Sequence, residues 1–345
     1  MKPGAVTASA LGLSRNESGR RFPHVEDGAV LEDLRAEVLD VLAGGQWDER
    51  WHVYDLEALS EVEVDHLVER GLMTPAFLDG EGEGRGFAVY GEGQASLEIN
   101  GSDHVRVLGF RNGDQLESLW SLLNLLDDRL ETVLSYAFDA RWGYLLARAR
   151  QAGSGMRAYA TLLLPALMLT GRLAGVAVEL VNQGLCMSPL WNGAGGVVQV
   201  SNIGPQAKPE AETLKQVSEV CAGIVEKERS VRKMLVRESL LQTRDQVGRA
   251  LGVAQQAWSM SFLESVNLIS AIQAGRELGL VEGSGLSSES AFSLMTRLQP
   301  AHIVVDYMDG KIGCLESPEI DEKRARMMRE VFADSGLRPQ EKRDV

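Results

Sequence analysis

Two short stretches of the chain carry residue types that could handle an anion. Ile99–Arg106 reads I-N-G-S-D-H-V-R, with Asp103 and His104 adjacent and Arg106 two residues on. Gln151–Arg157 reads Q-A-G-S-G-M-R, where Gly153-Ser154-Gly155 lets backbone N–H groups approach an anion and Arg157 adds a charge. Neither stretch brings a nucleophile, so each also has a plain structural reading. An imidazole beside a strand end commonly holds a neighbouring loop through its ring nitrogens, and G-S-G is a common turn. A third group, Lys323, Arg324, Arg326 and Arg329, shares one helix with Met327 and Met328. Arg326 and Arg329 project from one face, and arginine forks match phosphate oxygens, although such a face is often simply solvated. The chain has no Gly-Lys-Ser/Thr phosphate loop, no G-x-S-x-G elbow and no H-E-x-x-H zinc spacing.

The elements that would position these residues are legible in the periodicity. Residues 1–27 read as irregular, with Gly4, Gly12, Gly19 and Pro23. Helical spacing follows over Ala29–Leu42, stopped by Gly44-Gly45, and again over Ser60–Arg70. Phe87–Tyr90 and Ala95–Ile99 flank Gly91-Glu92-Gly93 as a hairpin, and Val105–Phe110 is a third strand. Gln115–Tyr136 is a long amphipathic helix, with a leucine stripe from Leu116 to Leu130. Tyr159–Leu164 reads as a strand, Leu167–Asn182 as a helix, and Cys186–Trp191 and Gly196–Ser201 as two more strands. About six strands interleaved with helices and joined by hairpin turns predict an α+β domain with an antiparallel sheet. From Pro209 onward the pattern is helical through Phe332, apart from the capping run Ser287-Ser288-Glu289-Ser290. The boundary falls at roughly 205–240. The expected division is a first domain over 1–238, a helical domain over 239–335 and a tail over 336–345.

Length and composition bound the partners. The 345 residues are enough for two cores. No apolar run approaches the ~20 residues of a membrane span, and no secretory signal is evident. Three scattered cysteines, Cys186, Cys221 and Cys314, point to a reducing, cytoplasmic setting. The net charge of −14 disfavours nucleic acid and anionic membranes and favours cationic partners such as arginine-rich segments.

Taken in order, these pieces resemble the bacterial protein-arginine kinases of the ATP:guanido phosphotransferase (phosphagen kinase) family, from about Thr7 to Phe332. The segments that carry the likeness include Phe22-Pro23-His24, Asn100 with Asp103-His104-Val105-Arg106, Leu126-Asp127-Asp128 and Tyr136-Ala137-Phe138-Asp139. Gly143-Tyr144-Leu145, Gly153-Ser154-Gly155-Met156-Arg157-Ala158, Leu163-Leu164-Pro165-Ala166-Leu167 and Gln199-Val200-Ser201-Asn202 extend it. The resemblance implies a saddle-shaped antiparallel sheet flanked by helices, glutamine-synthetase-like, and a helical C-terminal domain for dimerisation and phosphoarginine binding. It also implies ATP and Mg²⁺, arginines on the phosphates, and carboxylates that orient and deprotonate a guanidinium.

The departures from the family pattern fall on functional positions. Against S-S-R-x-R-x-x-R-N, Ala10 and Gly12 replace two phosphate-binding arginines, and Arg15 remains. Against N-E-E-D-H-x-R, Gly101 and Ser102 replace both glutamates, Ser102 at the catalytic one, while Arg106 is kept. Arg148-Ala149-Arg150-Gln151 stands where Cys-Pro-Thr-Asn is expected, ahead of the retained Arg157. Met187–Gly193 lacks the arginine and the glutamate of R-G-x-x-G-E, with Gly193 at the glutamate position. Loss of a general base costs about 10²–10⁴-fold, and loss of a phosphate-clamping arginine about 10³-fold or more. No compensating carboxylate is apparent from the sequence.

The resemblance therefore implies a kinase-family protein without confident catalytic residues. Arg15, Arg106 and Arg157, with Arg148 and Arg150, form its anion site, and Asp103, His104, Gly153 and Gly155 form a structural one. Arg324, Arg326 and Arg329 are a phosphoarginine site. Three readings stay open: a regulatory pseudokinase, dimeric and paired with protein clients or an active relative; an active kinase with altered groups; and a phosphoarginine-reading adaptor. ATP and Mg²⁺ belong to the second.

Overall fold

A computed structural model describes residues 6–43, 50–80, 82–203, 208–283, 286–308 and 315–338, apart from the side chains at 150, 288 and 289. Gly44-Gly45 and Cys314 therefore lie outside the described residues. The first half runs β1 (Val6–Arg15), α1 (Gly28–Ala43), β2 (Trp51–Tyr54), α2 (Glu61–Glu69), α3 (Pro75–Leu78), β3 (Gly86–Tyr90), β4 (Ala95–Ile99), β5 (Val105–Asn112) and α4 (Leu116–Glu131). A short ladder of β6 (Phe138–Asp139) and β7 (Gly143–Tyr144) follows. Next come β8 (Met156–Leu163), α5 (Pro165–Leu169), α6 (Leu173–Val181), β9 (Leu185–Pro189), β10 (Val197–Asn202) and the long α7 (Glu210–Glu238). The rest is mainly helical, with α8 (Leu240–Gln256), α9 (Phe262–Glu277), α10 (Ser288–Arg297), α11 (Pro300–Tyr307) and α12 (Pro318–Phe332).

Eight strands form one antiparallel sheet in the order β2-β3-β4-β5-β1-β8-β10-β9. The expected α+β class with an antiparallel sheet and flanking helices is the observed one. One face is the main core. Leu11, Leu13, Val105, Val107, Ala158, Leu162 and Val200 pack against Leu119, Leu123 and Leu126 of α4 and Val217, Cys221 and Ile224 of α7. Full burial of each leucine is worth about 1.5–3 kcal/mol. A second core joins Ala8, Leu163 and Val197 of the sheet to Val266, Ile269, Phe292, Met295 and Met328 of the C-terminal helices. Those helices thus rest partly on the sheet's other face. Helices α7 and α8 meet at Ser239, whose backbone (φ −142°, ψ 34°) leaves the helical region.

Three expectations are corrected. Residues 1–27 are not irregular throughout, because β1 lies inside the sheet between β5 and β8. Its Ala8, Ala10, Gly12 and Ser14 are small and of low strand propensity, which hides the period-2 pattern of Leu11 and Leu13. Leu167–Asn182 is two helices. Gly171, at φ +66°, follows the end of α5, and the N–H groups of Gly171 and Arg172 bond the carbonyls of Met168 and Leu167 in a Schellman closure. In the stretch read as a tail, Gly336–Leu337 pairs with Val281–Glu282, and residues 339–345 lie outside the described residues. Among the described residues no helix is long and apolar enough to cross a membrane.

Candidate anion-binding site on the sheet

Strand register decides which side chains meet. Across the sheet Glu98 of β4 stands opposite Arg106 of β5, and Arg106 opposite Ser14 of β1. The next row sets Leu108 against Gly12 and Gly12 against Arg157 of β8. The row after that aligns Phe110, Ala10 and Tyr159. Side chains alternate between faces, so these rows share the face away from the α4–α7 core.

A cavity of about 220 Å³ opens at this face, lined by Glu98, Ser102, Asp103, Arg106, Arg148 and Arg157 among others. Three of the expected anion-site arginines are thus brought together. Arg157 donates through Nη1 to the Asn202 carbonyl at 2.6 Å. Among the described residues the buried Nε atoms of Arg106 and Arg157 have no hydrogen-bond partner, an unusual state for buried donors. Arg148, at the N-cap of the turn at Ala149–Gln151, is exposed at the mouth, and the side chain of Arg150 lies outside the described residues.

Arg15 is not among the lining residues. It is 3% exposed, pairs with Asp127 at 2.6 Å, donates to the Ser14 and Ser154 carbonyls, and stacks 3.6 Å over the Tyr144 ring. The Tyr136 hydroxyl donates to the other Asp127 oxygen at 3.0 Å. Burial pushes the Asp127 carboxyl up, against the pull of Arg15. Gly155, at φ +66°, permits this clasp, since a Cβ there would lie 2.5 Å from Arg15 Nη1 and 2.6 Å from the Ser14 carbonyl. Arg15 therefore fastens α4 and the Gly-rich segment to β1 through Nη1 and Nη2, both already bonded.

Asp103 and His104 have the structural role open to them. Asp103 Oδ1 accepts from Asn16 Nδ2 at 2.7 Å and from the Ala147 N–H at 2.9 Å. Asn16 Oδ1 accepts the His104 N–H, and His104 Nδ1 accepts the Glu17 N–H at 3.1 Å. The acceptor role leaves the proton of the neutral ring on Nε2. Burial pushes the imidazole down to about 4. Gly153 exchanges backbone hydrogen bonds with Tyr144. These contacts tie the β4–β5 turn to the end of β1 and to the loop before the Gly-rich segment.

The two expected glutamate positions separate. Ser102 is exposed at the cavity, whereas Gly193 sits in the turn Trp191–Gly196 and is not among the lining residues. The sequence reading missed Glu98. It is 3% exposed, and its Oε1 accepts from Thr74 N–H at 2.6 Å and Thr74 Oγ1 at 2.7 Å. Burial pushes its carboxyl up, while Arg106 and the Thr74 donors pull it down. Counting residues back across the 100–104 turn would have set Glu98 opposite Arg106. The signal was register, not motif.

A second cavity, about 510 Å³, adjoins the first and shares Thr74, Arg106 and Tyr159 with it. Its walls are mostly apolar, with Ala10, Leu108, Phe110, Trp191 and Phe292. The Phe292 ring of α10 stacks on Trp191 at 5.4 Å and lies 6.4 Å from Phe110. At Ala10 and Gly12, where the family pattern puts phosphate-binding arginines, the sheet has these neighbours instead. The residues present fit one phosphoryl-sized anion better than a triphosphate with its magnesium.

Among the described residues the arginines of α12 share no partner. Arg324 is 2% exposed and donates to the Leu298 and Met260 carbonyls at 2.8 Å each and to Asp321. Arg326 faces solvent with Glu330, and Arg329 bonds the Ala257 carbonyl and stacks on Trp258.

Comparison with known proteins accounts for this arrangement. The model of the ATP:guanido phosphotransferase C-terminal catalytic domain matches residues 33–231, and that of the Protein-arginine kinase McsB C-terminal domain matches 240–343. The protein-arginine kinase of Halothermothrix orenii is 32% identical over 330 residues, 94% of this chain and 92% of its own. That of Moorella thermoacetica is 32% identical over 339 residues, 95% of this chain and 94% of its own. Among solved structures, the duplicated taurocyamine kinase from Schistosoma mansoni with transition state analog components superposes with a TM-score of 0.60 at 16% identity, covering 75% of this chain and 38% of that one. Lombricine kinase gives 0.58 at 18% identity, covering 66% of each chain. These two share the fold. The chain belongs to the ATP:guanido phosphotransferase family, in its protein-arginine kinase branch.

Proposed function

We propose that this chain is a regulatory pseudokinase of the protein-arginine kinase branch. Its sheet cavity binds one phosphoryl-type anion, free or as phosphoarginine, without transferring it at the rate of an intact relative. Its partners are protein clients or an active kinase of the same family, and it works as a homodimer. The observation that carries this reading is the fate of the first motif. Ala10 and Gly12 offer no guanidinium, Arg15 is bound to Asp127, and Arg106, Arg148 and Arg157 remain at the cavity.

The test pairs labelling with titration. Radiolabelled ATP and an arginine-rich unstructured protein should give no acid-labile phosphoarginine above about a thousandth of an intact relative's yield, as expected for loss of a base and a clamping arginine. Inorganic phosphate or phosphoarginine should bind, and Arg157→Ala should weaken both. Labelling at an intact relative's rate would overturn the proposal.

A second reading, an active kinase with altered groups and ATP·Mg²⁺ as phosphoryl donor, has one observation in its favour: the buried carboxylate of Glu98 in the cavity. The same labelling experiment decides it.

A further inference from the structure

We propose that the larger cavity, at the seam between the sheet and α10, binds an aromatic monocarboxylate, with Arg106 holding the carboxylate and the apolar walls holding the ring. This site goes beyond the anion-site reading above, and Arg106 is the one charged residue that lines both cavities. The charges around the larger cavity single out a monoanion. Its charged lining residues are Arg106 and Glu69. Glu69 is already engaged, because Oε1 accepts the Ala301 N–H at 3.0 Å and Oε2 the His302 N–H at 2.8 Å. Arg106 makes no hydrogen bond or ion pair among the described residues, and its Nε is buried without a partner. Glu98 across the strand acts on it through its charge, without a direct bond. One guanidinium therefore remains to receive an anion from this side. A triphosphate is cradled by several cations, and this cavity has one.

The walls set the rest of the ligand. On the helical side the polar groups bond one another. Trp191 Nε1 donates to Gln299 Oε1 at 3.1 Å, Gln299 Nε2 to the Thr296 carbonyl at 3.3 Å, and Thr296 Oγ1 to the Phe292 carbonyl at 3.2 Å. What this side presents is apolar, chiefly the rings of Trp191 and Phe292, with Phe110 of β5 beside Phe292. On the floor, Tyr159, Thr161 and Gln199 make no side-chain hydrogen bond among the described residues, and Thr161 and Gln199 are cross-strand partners. The simpler alternative is a packing gap filled with water. An ordered water needs about two to four polar partners. Here the free polar groups lie on the floor alone, and apolar walls left against water are unfavourable. A flat apolar body over that floor, with its carboxylate at Arg106, covers the walls and uses the charge.

Calorimetric titration of the full chain with 2-naphthoate, its uncharged amide 2-naphthamide, inorganic phosphate and ATP with Mg²⁺ tests the proposal. The naphthoate should bind at or below millimolar concentration. The amide should bind about tenfold or more weakly, because it lacks the charged hydrogen bond, and Arg106→Gln should erase that difference. Ala10→Phe and Thr296→Phe fill the cavity from the sheet and from α10, and neither residue lines the smaller cavity. Each should abolish naphthoate binding while phosphate affinity and melting temperature stay unchanged. A variant whose melting temperature falls is set aside, and the other decides. Absence of naphthoate binding, equal affinity for acid and amide, or undiminished binding in the filled variants would overturn the proposal. ATP should displace naphthoate no better than inorganic phosphate does. Tighter displacement by ATP would mark a nucleotide site and overturn it as well. If phosphate does not bind but naphthoate does, and is lost in the filled variants, the anion-site reading falls and this one stands.

Discussion

Arg106 lies across Gly12. A Cβ at residue 12 would sit 3.2 Å from Arg106 Nε and 3.3 Å from its Nη2, with Leu108 at 3.1 Å. The space where a family arginine would begin is thus occupied by the guanidinium of the neighbouring strand. Gly12→Ala should push that guanidinium aside while leaving the strand paired. A displaced charge-assisted bond is worth about 1.5–3 kcal/mol, so phosphate affinity should drop by roughly tenfold or more at nearly constant melting temperature. Calorimetric titration checks this, and undiminished affinity would show that Arg106 is not part of the anion site.

His104 should leave a pH signature. Its folded pKa is pushed down to about 4 by burial, with Arg20 adding to the effect, against about 6.5 in an unfolded chain. Between those values the unfolded state binds a proton that the folded state refuses. Stability contributed by this residue is therefore lost as pH falls through that window, by at most roughly 3 kcal/mol. Glu98 and Asp127, with carboxyls raised by burial, act in the opposite sense. The comparison with His104→Gln isolates the histidine. The variant's melting temperature should fall less steeply from pH 6.5 to 4.5, and parallel curves would refute the assignment.

Much of this fold was legible because its periodicities are strong. The leucine stripe of α4 and the hairpin of β3 and β4 needed only local reading. Strand β1 escaped because what fixes it is non-local: its backbone is paired on both sides, while Ala10 and Gly12 leave room for Arg106. The site was half legible for the same reason. Arg106 and Arg157 stood in recognisable motifs. Glu98 stood in none, and only cross-strand register gives it a neighbour. Arg15 and Arg324 carry a binding residue's chemistry, but each is buried and held by a carboxylate and backbone carbonyls inside the protein. Sequence cannot distinguish an arginine held by buried carbonyls from one waiting for a phosphate.

Arg324 and Arg326 should therefore behave in opposite ways. Arg324→Ala leaves the carbonyls of Leu298 and Met260 without their donor in a buried site, and should cost about 3–5 kcal/mol. Arg326→Ala removes an exposed i,i+4 pair and should cost less than about 0.5 kcal/mol. Urea denaturation measures both. Similar small costs would mean that Arg324 is accessible after all.

One carboxylate joins α2 to the C-terminal helices. The carboxylate of Glu69, in the final position of α2, accepts the N–H groups of Ala301 at 3.0 Å and His302 at 2.8 Å, and it meets His302 Nδ1 at 2.8 Å. It thereby caps α11 from another part of the chain, where a negative charge suits the helix dipole. The His66 ring stands edge-on to His302 at 4.7 Å, and burial pushes His66 down. Glu69→Ala removes the cap and leaves buried N–H groups unpaired, each costing about 1–3 kcal/mol. Amide hydrogen exchange should accelerate in α11, and first at its N-terminal turn, while β5 and β8 remain protected. Glu69→Gln, which keeps one acceptor, should show an intermediate effect. Unchanged exchange in α11 would mean that apolar packing alone holds these helices against α2.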